Sequence, residues 1–178
     1  MVKRALFVGR FQPFHYGHLH AIREILRDCE ELLIVVGSAQ MSHELDNPFT
    51  AGERLEMISN ALTSADIPAD RYMLIPIPDA PAHRVWVSQV ESQTPRFDLV
   101  YTNQPLTRRL LIEAGYEVKS IDLYMRHNYE ATEIRRRILE GEDWEDLVPS
   151  DVYRFLLEIE GGNRIRDLAK TDTVNDHE

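Results

Sequence analysis

Apolar and polar positions follow two different periods along this chain. From Lys3 to Gly9 the sequence is short, apolar and closed by glycine, which reads as a buried β-strand. Leu19, Ile22, Ile25, Leu26 and Cys29 then recur at helical spacing. Leu32 to Gly37 is a second buried strand, rich in β-branched residues. Thr50-Ala51-Gly52-Glu53 has the form of a capping box, and Leu55, Met57, Ile58 and Leu62 continue it as a helix to about Ser64. A third strand runs from Tyr72 to Ile77, stopped by Pro76 and Pro78, and a helix follows from Arg84 to Gln93. Asp98 to Thr102 is a fourth strand, Leu106 to Ala114 a helix ended by Gly115, and Tyr116 to Ile121 a fifth strand. Thr132 is placed to cap a helix running to Leu139, with Gly141 beyond it.

This alternation of strands and helices predicts an α/β fold: a Rossmann-like open parallel sheet with helices on both faces and a C-terminal helical segment. The strand pattern stops after residue 141, so residues 1–141 are expected to form the core. Helices at Asp151 to Ile159 and Arg164 to Lys170 place 142–170 as the closing part of the same domain. The polar stretch 171–178 reads as a disordered tail.

Composition narrows the partners. No apolar run is long enough to span a bilayer, and Met-Val-Lys-Arg leads directly into Ala5-Leu6-Phe7-Val8 without a small-residue cleavage site. That start reads as a first strand and not as a signal peptide. The one cysteine, Cys29, excludes a disulfide within the chain and fits a cytoplasmic setting; its place on an apolar face marks it as a packing residue. A net charge of −10 opposes binding to nucleic acid or to anionic membranes. Any phosphate site must therefore be a local concentration of positive charge.

One stretch has the makings of such a site. Gly9-Arg10-Phe11-Gln12-Pro13-Phe14-His15-Tyr16-Gly17-His18 lies between the first strand and the first helix, where open parallel sheets bind ligands. Free amides at a helix N-terminus face an anion there, and Gly9 and Gly17 let backbone come close to a phosphate. His15 and His18, three residues apart, can point the same way, and Arg10 adds charge from the loop. This is neither a Walker A loop nor a GxGxxG fingerprint. His15, His18 and His20 also admit a structural or a metal-ligand reading, although no Cys or carboxylate cluster lies nearby in sequence to complete a metal site.

Gly9 to His18 resembles the signature of the HxGH nucleotidyltransferases, and the ten-residue form is similar to the archaeal type of nicotinamide-mononucleotide adenylyltransferase. Thr132-Glu133-Ile134-Arg135 matches the family's second phosphate motif, with Arg136 and Arg137 after it. Residues 37–54, including Gly37-Ser38-Ala39-Gln40 and Asn47-Pro48-Phe49-Thr50-Ala51-Gly52-Glu53-Arg54, extend the likeness. It runs from about Lys3 to Lys170, with three departures. His83 stands where an asparagine is usual, Glu130-Ala131 where Ser-Gly is common, and Asn103-Gln104-Pro105 where Gly-Asn-Pro is usual.

The resemblance implies transfer of AMP from ATP to nicotinamide mononucleotide (NMN), giving NAD and pyrophosphate, with Mg²⁺ carried on ATP and no dedicated metal site. It implies catalytic roles for His15, His18, Arg10 and Arg135. ATP contacts are expected from Gly9, Phe11, Gln12, Pro13, Gly17, Thr102, Thr132 and Arg136, and acceptor contacts from Ser38, Asp79, His83 and Trp86. It also implies a homo-oligomer. The same phosphate motifs serve transferases with other phosphate acceptors, and a nucleotide sensor without turnover is the alternative of a different class.

Overall fold

The structure is a computed structural model and describes residues 2–121 and 130–170. Five strands form one sheet: β1 (Val2–Gly9), β2 (Cys29–Val36), β3 (Tyr72–Pro76), β4 (Leu99–Tyr101) and β5 (Glu117–Lys119). Their order is β3-β2-β1-β4-β5, and each neighbouring pair runs parallel. The order reverses direction between β1 and β4, so a crevice opens at the carboxyl ends of these two strands.

The helices are α1 (Tyr16–Asp28), α2 (Ala51–Ser64), α3 (His83–Gln93), α4 (Pro105–Glu113), α5 (Ala131–Glu140), α6 (Ser150–Glu158) and α7 (Gly161–Leu168). They cover both faces of the sheet, and the strands show why. On β1, Ala5 and Phe7 join one apolar cluster and Leu6 joins the other; on β2, Leu32, Ile34 and Val36 divide from Leu33 and Val35 in the same way. Because both faces are covered, Leu32 to Val36 is fully buried without a break. Each such side chain adds about 1.5–3 kcal/mol of apolar transfer free energy. The larger cluster holds residues of α1, α2, α5, α6 and α7; the smaller lies under α3 and α4. Val152, Phe155, Leu156 and Ile165 belong to the larger cluster, so the last two helices share the core of the sheet.

The capping box at α2 forms as the spacing predicts: Thr50 Oγ1 accepts from the Glu53 amide at 3.2 Å and Glu53 accepts from the Thr50 amide at 2.9 Å. Gly141 closes α5 at φ +72°, the left-handed region that favours glycine. Two expected helix ends change. Cys29 is already extended and opens β2 instead of ending α1, although its buried thiol still donates to the Ile25 carbonyl at 3.4 Å. Thr132 does not cap α5: Glu130 is the last extended residue, and Thr132 is the second residue of the helix. Among the described residues no helix is long and apolar enough to cross a membrane. The expected tail, 171–178, lies outside the described residues.

Candidate active site

Two cavities meet at the crevice. The first, about 340 Å³, is lined by the end of β1 with Gly9, Arg10, Phe11 and Gln12, by His15 and, within α1, Gly17 and His18, by Thr102, Asn103 and Gln104 after β4, and by Ala131, Thr132 and Arg135 of α5. The second, about 380 Å³, is lined by Gly9, Arg10, Gly37, Ser38, Asp79, His83, Trp86 and Gln104, with Leu106, Thr107 and Leu110 of α4. Both have the size of small-ligand sites. Gly9, Arg10 and Gln104 border both.

His15 caps α1 and His18 is its third residue. Their rings stack with centroids 3.6 Å apart at 23°. His18 is further enclosed by Phe14 at 5.4 Å and Phe11 at 4.7 Å. Burial pushes His15 down to about 3, and burial followed by the neighbouring His15 holds His18 well below its usual range. Both imidazoles are therefore neutral at pH 7. His18 Nδ1 accepts from the His15 backbone amide at 3.3 Å, which leaves the His18 proton on Nε2 as a free donor. His15 Nδ1 is the one buried side-chain nitrogen or oxygen without a partner among the described residues. An unsatisfied buried nitrogen at a helix N-terminus, with no acidic residue in the first turn, is a place for a ligand.

The N-terminus of α5 faces the same cavity through Ala131 and Thr132, which adds a second set of helix-end amides. Three guanidinium groups sit close enough to repel. Arg10 lowers the proton affinity of Arg54 beyond the lowering that burial causes, and acts the same way on Arg135, where the nearby Asp46 opposes it. This is the local positive charge that a chain of net charge −10 needs in order to hold a phosphate.

The second cavity has a different character. Trp86 is half-buried on its wall. Asp79 is held rigidly: Ser38 Oγ donates to Oδ1 and Gln40 Nε2 to Oδ2, both at 2.9 Å, while its own amide donates to Gln40 Oε1 at 2.9 Å. All four residues expected at the acceptor, Ser38, Asp79, His83 and Trp86, line this one cavity.

Two of the expected ATP contacts, Arg136 and Pro13, fall outside the first cavity. Arg136 does not line the first cavity, because one residue of helical advance from Arg135 turns it to the outer face of α5. There it pairs with Glu133, Glu140 and Glu142. Pro13 is buried outside the lining, and the Gln12 side chain faces inward. Gln12 Nε2 donates to the Phe49 carbonyl at 3.0 Å and Gln12 Oε1 accepts from the Phe49 amide at 2.9 Å, so this residue fastens the 47–50 segment under the site. Gly9 has a packing reason for lacking a side chain: a Cβ there would lie 2.7 Å from the Phe11 ring, which turns back over it from a left-handed backbone at φ 55°. Arg135 lines the cavity but is also bound within the fold, with Nη1 donating to the Gln12 carbonyl at 2.8 Å and Nη2 to Asp46 at 3.1 Å.

Arg54 is the residue that pattern reading passes over. It is fully buried and donates to four carbonyls: Arg10 at 3.0 Å, Gly37 at 2.8 Å, Ser38 at 3.1 Å and Thr50 at 3.2 Å. It ties the wall of the first cavity to the wall of the second. The signal was an arginine at helical spacing with Met57, Ile58 and Ala61, on the face that packs into the core. Among the described residues no group of three or more His, Cys, Asp or Glu is arranged to hold a metal ion.

Comparison with known proteins agrees with this geometry. The cytidylyltransferase-like family matches residues 6–137. A nicotinamide-nucleotide adenylyltransferase of Methanolobus tindarius is 48% identical over 171 residues, covering 96% of this chain and 97% of that one. One of Methanococcus aeolicus is 50% identical over 169 residues, covering 95% and 96%. Among solved structures, a bifunctional NMN adenylyltransferase/ADP ribose pyrophosphatase of Francisella tularensis, complexed with AMP and manganese, superposes with a TM-score of 0.77 at 26% identity. That match covers 94% of this chain, which spans only 52% of the Francisella protein. The chain belongs to the cytidylyltransferase-like family, in its nicotinamide-nucleotide adenylyltransferase branch.

Proposed function

We propose that this protein transfers AMP from ATP to nicotinamide mononucleotide, forming NAD and pyrophosphate. The observation that carries the reading is the pair of adjoining cavities. One is lined by a neutral histidine pair and two helix N-termini, the other by Trp86 and a fixed carboxylate, and they share the Gly9-Arg10 backbone. Triphosphate suits the first and a pyridine nucleotide the second.

The acceptor phosphate is already a nucleophile. Its oxygen bonds to the α-phosphorus as the bond to the bridging oxygen breaks, and pyrophosphate leaves with that electron pair. No general base and no covalent intermediate are required, so catalysis reduces to alignment and charge stabilisation. His18 donates from Nε2 to an α-phosphate oxygen, and His15 and the α1 amides complete the cradle. Arg10 and Arg135 bind the β- and γ-phosphates. Mg²⁺ would enter carried on ATP and would offset the charge of its phosphates. Trp86 stacks on the nicotinamide ring. A cytoplasmic homo-oligomer belongs to the same reading, and sedimentation of the purified chain tests the assembly.

The test is an acceptor panel with ATP and Mg²⁺: NMN, nicotinic acid mononucleotide, phosphopantetheine and glycerol phosphate. Fastest pyrophosphate release with a pyridine mononucleotide is expected. Fastest release with either of the other two moves the chain to a sibling activity, and none with any acceptor makes it a sensor.

A further inference from the structure

The two arginines assigned to the triphosphate are both held from a single turn. Residues 44–47 close on themselves, with the Glu44 amide donating to the Asn47 carbonyl at 3.2 Å and the Asn47 amide to the Glu44 carbonyl at 3.0 Å. From this turn Asp46 Oδ1 accepts from Arg135 Nη2 at 3.1 Å, and Asn47 Oδ1 accepts from Arg10 Nη1 at 3.4 Å. The two ends of the Arg135–Asp46 pair are unlike: the arginine side chain is 8% exposed and the aspartate 79%. Arg135 is anchored independently through its bond to the buried Gln12 carbonyl. Asp46 has no such second hold on Arg135, and an exposed ion pair is weak. In a contest for Arg135, Asp46 is therefore the partner that gives way.

We propose that Asp46 is a positioning residue for substrate exchange: it occupies Arg135 in the free enzyme, yields it to the incoming triphosphate, and reclaims it as pyrophosphate leaves. The inference rests on the reading of the first cavity as a triphosphate site. Its chemistry is simple competition between anions for one guanidinium. When a phosphate oxygen takes Arg135, the carboxylate stays nearby as a like charge, so it weakens the binding of ATP and of pyrophosphate alike. Weaker pyrophosphate binding means faster release, and product release limits turnover in many enzymes. The carboxylate sits beside the cavity without lining it, as a competitor should. Asn47, uncharged and 7% exposed, does the same for Arg10 without that repulsion.

Asp46→Asn removes the charge and keeps the shape at an exposed position. The expected result is a fall of about three- to ten-fold in both the ATP KM and the pyrophosphate inhibition constant. That is the effect of deleting one unit charge about 6 Å from a phosphate in a mostly hydrated setting. The NMN KM stays unchanged, kcat does not rise, and the difference shrinks as salt is added. Asp46→Glu, which retains the charge, behaves like wild type. If Asp46 instead only orients Arg135, Asp46→Asn binds pyrophosphate no more tightly than wild type, and that result overturns the proposal. Pyrophosphate affinity is measured by calorimetry as well as by kinetics. Failure of the function reading appears as no NAD from wild type; failure of this inference appears as unchanged or weakened pyrophosphate affinity in Asp46→Asn.

Discussion

Arg54→Met is the perturbation that most directly probes how the two cavities are held together. Methionine keeps much of the aliphatic stem and deletes the guanidinium. Four donated bonds are lost, to Thr50, Arg10, Gly37 and Ser38. Two of these carbonyls keep another donor: Thr50 accepts from the Arg54 amide and Ser38 from the Met41 amide. The carbonyls of Arg10 and Gly37 bear most of the loss. Hydrogen bonds from a charged donor contribute about 1.5–3 kcal/mol each. Against this, the buried charge carries a desolvation penalty of several kcal/mol in the wild type, visible as the Arg54 guanidinium being pushed down to about 10, first by burial and then by Arg10. The net expectation is a loss of about 2–4 kcal/mol, less than the total stability of an ordinary domain. Urea denaturation at neutral pH reads it as a lower midpoint with unchanged slope. Because Arg54 ties Arg10 to the 37–38 loop, the KM values for both substrates rise together in the variant. A stability loss below about 1 kcal/mol, or a rise confined to one substrate, would refute this account of Arg54.

Other consequences are as direct. Since His15 takes a proton only near pH 3 when folded, against a usual value of 6.5, the unfolded chain binds the extra proton between those values. Stability is therefore complete above pH 6.5 and declines as pH falls through that window, by up to about 1.4 kcal/mol per pH unit for each such histidine. His15→Gln is expected to flatten the pH dependence of the denaturation midpoint between pH 6 and 4, and an unaltered slope contradicts the assignment. Trp86→Ala should raise the NMN KM by about three- to ten-fold, the size of a lost stacking contact, with the ATP KM unmoved; an equal effect on both substrates would mean that Trp86 supports the fold and not the acceptor. Arg136→Ala should leave the ATP KM within about two-fold, since its partners are surface carboxylates of the kind that contribute little; a large rise would return Arg136 to the phosphate site.

Much of this was legible along the chain, for identifiable reasons. Buried parallel strands are continuous apolar runs, so Leu32 to Val36 stands out, and a glycine at the end of β1 marks where the crevice begins. His15 and His18 were readable because their spacing at a helix N-terminus fixes their common direction. The edge strand β5 shrank to three residues, since only Val118 of Glu117–Lys119 turns toward a core. What sequence does not carry is direction within a helix end and partnership across the fold. Arg135 and Arg136 are neighbours in the chain, and about 100° of helical rotation sends one into the cavity and the other to a cluster of glutamates. Gln12 belongs to the same ten-residue motif as the histidines, yet its amide serves Phe49, 37 residues away. Arg54 did not stand out because the carbonyls it satisfies come from two separate connections, the one after β1 and the one after β2.

The cavity around His15 and His18 is proposed to perform AMP transfer by positioning and hydrogen bonding. The most direct test is the steady-state formation of NAD from ATP, Mg²⁺ and NMN by wild type and by His18→Ala, read through an NAD-dependent dehydrogenase. In His18→Ala, kcat is expected to fall by about 10²- to 10³-fold, the magnitude of a lost transition-state donor, while both KM values stay within a few-fold. A variant that keeps a near wild-type kcat would contradict it.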